Sequence, residues 1–306
     1  MNLSELIYKR LCDSSALTSK LAKYNGSPAI FSPEAPDDNM EGWEDEVQYP
    51  KIVYGYDLIA DEKRQSTGNL TITLICRNDA EVMPEHIEVE IIKSLRDVMI
   101  MPDNDIPYCF AWSRTERFTI QEKSVDVTLG SEIRFDIIEY PSQITTDPDP
   151  IWATCKYIKD LYPESVMIGF DRLSEITEVT RDHPVIYCRL RSMENTGINF
   201  TTAWMDANIS IHVICPESDA RLGYLSGINM LMATDGEIAL QDESPMHIHY
   251  LKMNNATDYL KNGQITFTGK YGALRYRAEE KPLNVMNNTL NTENKGGTRW
   301  VVRKKL

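Results

Sequence analysis

One stretch of this chain is written twice. Asn69-Leu-Thr-Ile-Thr-Leu-Ile-Cys76 returns 139 positions later as Asn208-Ile-Ser-Ile-His-Val-Ile-Cys215, and only Thr73 against His212 changes in residue type. Both copies alternate apolar and polar residues before turning fully apolar, the pattern of a strand with one buried face. Internal self-similarity restricts the fold more than composition does, because each copy must be one supersecondary unit with the same order of elements.

The flanks repeat as well. Tyr49-Pro50-Lys51-Ile52-Val53-Tyr54 corresponds to His183-Pro184-Val185-Ile186-Tyr187, a strand opened by proline where no ladder N–H is needed. A helical pattern follows each cysteine: Pro84 to about Met99, with Ile87, Ile91, Leu95 and Val98 on one face, and Ala220 to about Met232, with Leu222, Leu225 and Met232. Candidate strands come next, near Tyr108–Ser113 and Ser131–Glu139 in the first half, and Met246–Met253 and Gln264–Lys270 in the second. Each half also opens with a helix, Ser4–Leu11 and Ile151–Leu161.

The order helix–strand–strand–helix–strand–strand therefore predicts an α+β fold of two similar domains, each a mixed or antiparallel sheet with helices packed on it. The expected boundaries are 1–140 for the first repeat, 141–150 for a proline-rich linker, 151–280 for the second repeat and 281–306 for a basic C-terminal extension. A length of 306 residues fits two domains.

Two long connections stand out, since loops beyond about 12–15 residues are usually functional or disordered. Ser32–Gln48 carries Glu34, Asp37, Asp38, Glu41, Glu44, Asp45 and Glu46 and no basic residue. It reads either as a solvated excursion or as an arm that orders on a neighbouring subunit. Ser192–Ala207 is expected to be similarly extended. Trp43 and Trp204 fall in these two loops and are candidate contact residues, because interfaces are enriched in tryptophan. The extension ends in Arg299-Trp300-Val-Val-Arg303-Lys304-Lys305, apolar anchors flanked by cations, which suits docking on an acidic partner and suits a frayed terminus equally.

Charge is uneven. The chain has 32 Lys+Arg against 46 Asp+Glu, yet residues 281–306 carry six basic side chains and one acidic. An acidic body argues against wrapping nucleic acid, which is held by cations on phosphates. No apolar run approaches the roughly 20 residues of a membrane helix, and the first residues lack the basic-then-apolar pattern of a secretory leader. The six cysteines are dispersed with no Cys-x-x-Cys pair, so reduced, mostly buried thiols are expected.

Catalytic signatures are sparse. Neither phosphate-binding nor dinucleotide-binding glycine loops occur, nor a nucleophile elbow. His247 and His249 share a strand face and with His212 could form a metal site, but an H-x-H pair alone is weak, and no cofactor or metal is expected. The Met230–Met232 stretch reads as helix core.

Asp13-Ser-Ser-Ala-Leu-Thr-Ser-Lys-Leu21, Asn25-Gly26-Ser-Pro-Ala-Ile-Phe31, Pro33-x-x-Pro36, Tyr49–Tyr54, Gly68–Cys76 and Pro84-Glu85 occur in an order that resembles the tail-terminator (tail completion) proteins of tailed bacteriophages. The resemblance covers residues 3–140, and the second half resembles the first. It implies a non-enzymatic virion protein of the tail or neck, assembled in the bacterial host cytoplasm. Such subunits form a ring that caps the tail tube, ends its polymerisation and joins the head. The implied partners are copies of itself (six chains, or three duplicated chains), the tail tube protein, the head–tail connector or stopper, the sheath where the tail contracts, and genomic DNA passing through the lumen without specific binding. The departure from the family is the duplication. A head–tail adaptor or baseplate protein is the alternative of the same class, and a soluble enzyme is the alternative from another.

Overall fold

The computed structural model describes residues 1–59, 67–78, 82–122, 126–143 and 145–275. The extension 281–306, and Arg299, Trp300, Arg303, Lys304 and Lys305 within it, lies outside the described residues. The first repeat contains α1 (Leu3–Asp13), α2 (Ser15–Thr18), β1 (Lys23–Tyr24), β2 (Ser27–Pro28), β3 (Ile30–Phe31), β4 (Lys51–Leu58), β5 (Gly68–Arg77), α3 (Pro84–Leu95), β6 (Val98–Ile100), β7 (Tyr108–Glu122) and β8 (Asp126–Glu139). The second contains α4 (Pro150–Leu161), β9 (Val166–Met167), β10 (Ile176–Glu178), β11 (Val185–Ile198), β12 (Thr202–Ile214), α5 (Ser218–Asp235), β13 (Glu237–Ala239), β14 (Pro245–Met253) and β15 (Ile265–Leu274).

The protein is α+β, built on two large sheets. Their strand orders are β10-β6-β7-β8-β5-β4-β3 and β13-β14-β15-β12-β11-β9. Without β10 the two orders correspond strand for strand. Register corresponds too: Ile52 pairs with Leu74 in the first sheet, and their sequence equivalents Ile186 and Val213 pair in the second. In both, the short strand before the hairpin runs parallel to it, β3 on β4 and β9 on β11, so the sheets are mixed.

Helix ends follow local chemistry. Asn2 caps α1 in a capping box with Glu5, and Asp149 accepts from Ile151 and Trp152 N–H at the start of α4, where Pro150 lacks a donor that the helix would leave unused. Helix α3 stops at Leu95, short of the expected Met99, because Asp97 takes a left-handed conformation (φ 59°) and Val98–Ile100 leaves to pair in the sheet. Gly236 (φ 71°) ends α5 in the same way. Of the residues expected to face the core from α5, Leu225 and Met232 are buried, whereas Leu222 and Met230 are exposed.

Three apolar clusters hold the chain. The first lies between α1–α3 and the first sheet, with Leu6, Ile7, Leu11, Ile87 and Ile91 against Ile52, Leu70, Leu74, Ile133 and Phe135. The second lies between α4–α5 and the second sheet, with Ile158, Leu225 and Ile228 against Ile186, Ile209, Val213 and Phe267. The third uses the opposite faces of both sheets: Met99, Cys109 and Ile138 of the first repeat meet Val185, Tyr187, Ile214 and Leu260 of the second. Helices thus cover one face of each sheet, and the other faces meet at this cluster. Each fully buried Ile or Leu adds roughly 1.5–3 kcal/mol relative to exposure.

The two repeats are also joined by hydrogen bonds. Strand β10, from the second repeat, pairs antiparallel with the edge strand β6 of the first. Flanking it, Lys9 and Arg10 of α1 form ion pairs with Glu175 (3.1 Å) and Glu178 (2.6 Å). The segment expected as a linker is packed: Pro141 accepts from the Tyr187 hydroxyl, Gln143 accepts from Leu190 N–H, and Pro148, Asp149 and Pro150 are buried.

Candidate interaction surfaces

The acidic segment leaves β3 and returns at β4, and an aromatic cluster pins its middle. Trp43 stacks edge-on against Tyr24 (5.1 Å) and Phe31 (5.9 Å), and its indole N–H donates to the carbonyl of Asp37 at 3.2 Å. Trp43 therefore packs locally. Asp38 also turns inward, accepting from Lys51 Nζ at 2.6 Å and from the Tyr49 hydroxyl at 2.5 Å. Burial would raise the Asp38 carboxyl, but these bonds outweigh it and hold it below the usual carboxylate range. Glu44 lies 3.9 Å from Lys23. Glu34, Asp37, Glu41, Asp45 and Glu46 point to solvent and, among the described residues, have no cationic partner. The result is a loop held to its own repeat at Trp43 and Asp38, with those five carboxylates exposed.

The region 192–207 is not the loop expected from its composition. It is the outer part of the β11–β12 hairpin, turned by Asn199, whose side chain accepts from Thr201 and Thr202 N–H. Both faces of this hairpin are largely solvent-exposed, so no apolar alternation marks it. Trp204 accordingly lies on β12, paired with Gly197 on one side and Gly272 on the other. A Cβ at Gly272 would stand 2.6 Å from the Thr202 methyl, so that neighbour and not the indole requires the glycine. Close by, the hairpin end exposes Ile198 (65%), Phe200 (78%) and Leu274 (79%). Sequence reasoning passed over these three. Their only signal is an apolar residue at alternate positions, Ile198 and Phe200, in an otherwise polar run.

The histidines separate. His247 and His249 are exposed on β14, with His247 3.5 Å from Glu237, while His212 sits beyond the intervening β15 and is buried in the third cluster. Its Nδ1–H donates to the Tyr259 carbonyl at 3.0 Å, and its Nε2 has no partner among the described residues. Burial lowers its pKa to about 4, so it is neutral. Among the described residues no three or more His, Cys, Asp or Glu side chains are grouped to hold a metal ion. All six cysteines are free thiols, and burial pushes Cys76 up to about 12.

The described surface carries an acidic loop, an apolar hairpin end, and two sheets with outer edges at β3, β10, β9 and β13. No known protein family, curated protein or solved structure matches the chain.

Proposed function

We propose that this chain is a structural subunit of a ring that caps a bacteriophage tail tube, ends its polymerisation and joins the tail to the head connector. The observation that carries the reading is the joint between the repeats. The same sheet occurs twice, and the two copies meet through different parts of the face opposite the helices, with a strand of one added to the edge of the other. A contact of that heterologous kind can be repeated and, where its rotation closes, gives a ring. The segment order over residues 3–140 points to the same class. The outward carboxylates of Glu34, Asp37, Glu41, Asp45 and Glu46 suit a lumen through which DNA passes, since like charge removes phosphate attraction.

The test is negative-stain imaging of the purified protein, alone and mixed with tail tubes. Rings of tube width, or density at one tube end only, are the expected result. Chains that stay monomeric and ignore tube ends overturn the reading. Binding to portal complexes in their place would move the protein to a head–tail adaptor role.

A further inference from the structure

The joint inside the chain has two sides, and each repeat owns both. In the first sheet, Met99, Cys109 and Ile138 form one row across β6, β7 and β8 and are buried against the second repeat. The same row in the second sheet is Glu237, His247 and Lys270, across β13, β14 and β15. On the receiving side, the pairs Val185–Ile214 and Tyr187–His212 of the second repeat are buried. Their counterparts in the first are Lys51–Ile75 and Val53–Thr73, of which Val53, Thr73 and Ile75 are only half-buried. One copy of each side is used within the chain, and of the other copies the row is exposed while the receiving face is covered by the chain's own acidic loop at Lys51 and half-buried beyond it.

The strand exchange has the same leftover. Strand β10 lies in the connection between β9 and β11, and it covers the β6 edge. The equivalent connection in the first repeat, between β3 and β4, is the acidic loop. The equivalent edge is β13, which has no strand on its outer side among the described residues. Counting forward from Met167 and Ile30, which pair in parallel with Ile186 and Ile52, Ile176–Glu178 corresponds to Asn39–Glu41, and the stretch from there to β4 is three residues longer in the first repeat. All three of those residues are exposed, and Glu41 stands where Glu178 reaches Arg10. The helix beside the edge matches as well: Lys9 follows the cap Asn2 by the same spacing as Lys156 follows the cap Asp149. Lys9 holds Glu175, whereas Lys156 is exposed over the Trp152 ring.

We propose that a second copy of this chain completes the pattern. Residues 39–41 of one copy add to the free edge of β13 in the next, while the outer face of β4–β5 lies on the row Glu237, His247 and Lys270. The inference deepens the ring reading and rests on it only for closure of the assembly. The row is charged where the internal one is apolar, so the contact between chains is more polar than the contact within them and weakens with salt.

Leu240 N–H donates to Ser244, so the N–H of the preceding Ala239 points outward, and Ala239→Pro blocks the edge while keeping β13 on β14. The experiment measures mass distributions of the full chain in low and high salt, alone and on tail tubes. The chains are wild type, Ala239→Pro, a loop variant (Met40→Pro with Glu41→Lys), and an equimolar mixture of the two variants. Circular dichroism confirms that each variant folds. Wild type is expected to form closed oligomers in low salt and each variant to associate at least tenfold more weakly. The mixture should stop at a dimer, because such a pair keeps one intact edge and one intact loop. Oligomers that form equally well with Ala239→Pro overturn this joint and leave the ring reading standing. Wild-type chains that stay monomeric in both settings overturn both. Slow hydrogen exchange at the outward N–H groups of Glu237 and Ala239 in the dilute monomer would mean that the chain covers its own edge, and overturns the joint alone.

Discussion

The hydroxyl of Tyr140, at the end of the first repeat, donates to the main-chain carbonyl of Leu260 in the second at 2.8 Å, across 120 positions of sequence. Tyr140 is 1% exposed, and its ring stands edge-on to Tyr187 at 5.2 Å. One side chain thus satisfies a buried carbonyl of the other repeat and fills the space between the sheets.

Tyr140→Phe keeps the ring and removes the donor. The Leu260 carbonyl is then left without that partner in a dry contact, a loss of about 1–3 kcal/mol. Denaturant unfolding should show a lower midpoint with an unchanged slope, since the area exposed on unfolding is the same.

His212 makes the same contact sensitive to acid. Its folded pKa, about 4, lies below the ordinary value of 6.5, mainly through burial and then through Arg189 and Arg191. Between those values the unfolded chain binds the proton and the folded chain does not, so stability is fully present above pH 6.5 and is lost as pH falls toward 4, at about 1.4 kcal/mol per pH unit. His212→Thr, which installs the residue found at the matching position 73, should flatten the profile over that window. Unfolding at a series of pH values reads the difference.

That position also marks how far sequence reading reached. The octapeptides at 69–76 and 208–215 differ in type only at Thr73 and His212, one of the positions where their surroundings differ: Thr73 is half-buried on its sheet, and His212 is buried between repeats. Strands such as β5 and β12, whose inner residues alternate, were legible, and so were the helices with apolar faces at α1 and α4. The β10–β6 pairing was not, because three-residue strands carry no periodicity and their partners lie far apart in the chain. The outer β11–β12 hairpin was read as loop for the opposite reason: with water on both faces, nothing requires its residues to alternate. Of the candidate contact residues, the carboxylates of Glu34, Asp37, Glu41, Asp45 and Glu46 do face outward, while Trp43 and Asp38 hold the loop to its own repeat.

A second acid-sensitive element supports the first sheet. Glu88 of α3, 7% exposed, accepts two parallel bonds from Arg117 at 3.0 Å each and one from the Ser131 hydroxyl at 2.5 Å. Burial would raise its carboxyl, but these donors outweigh it and hold the pKa down. The stabilisation is present above the ordinary carboxylate range and is lost as pH falls through the folded value. Glu88→Gln should cost about 1–2 kcal/mol, discounted because the Arg117 side chain is 56% exposed. It should also remove this share of the stability change below about pH 4, measured by thermal unfolding of both chains from neutral to acid pH.

The exposed hairpin end separates contact from folding. Ile198, Phe200 and Leu274 bury little in the chain itself, so exchanging Ile198 and Phe200 for serine should change stability by no more than about 0.5 kcal/mol. Large apolar side chains kept in water at the end of a hairpin are a surface expected to meet another protein, and desolvating a single large aromatic there is worth about 2 kcal/mol or more. On the proposed tube-capping role, the double variant should fold like wild type and bind tail tubes at least tenfold more weakly, read by co-sedimentation with the tubes. Binding that is unchanged would leave the acidic loop and the sheet edges as the contact surfaces and remove the hairpin from that role.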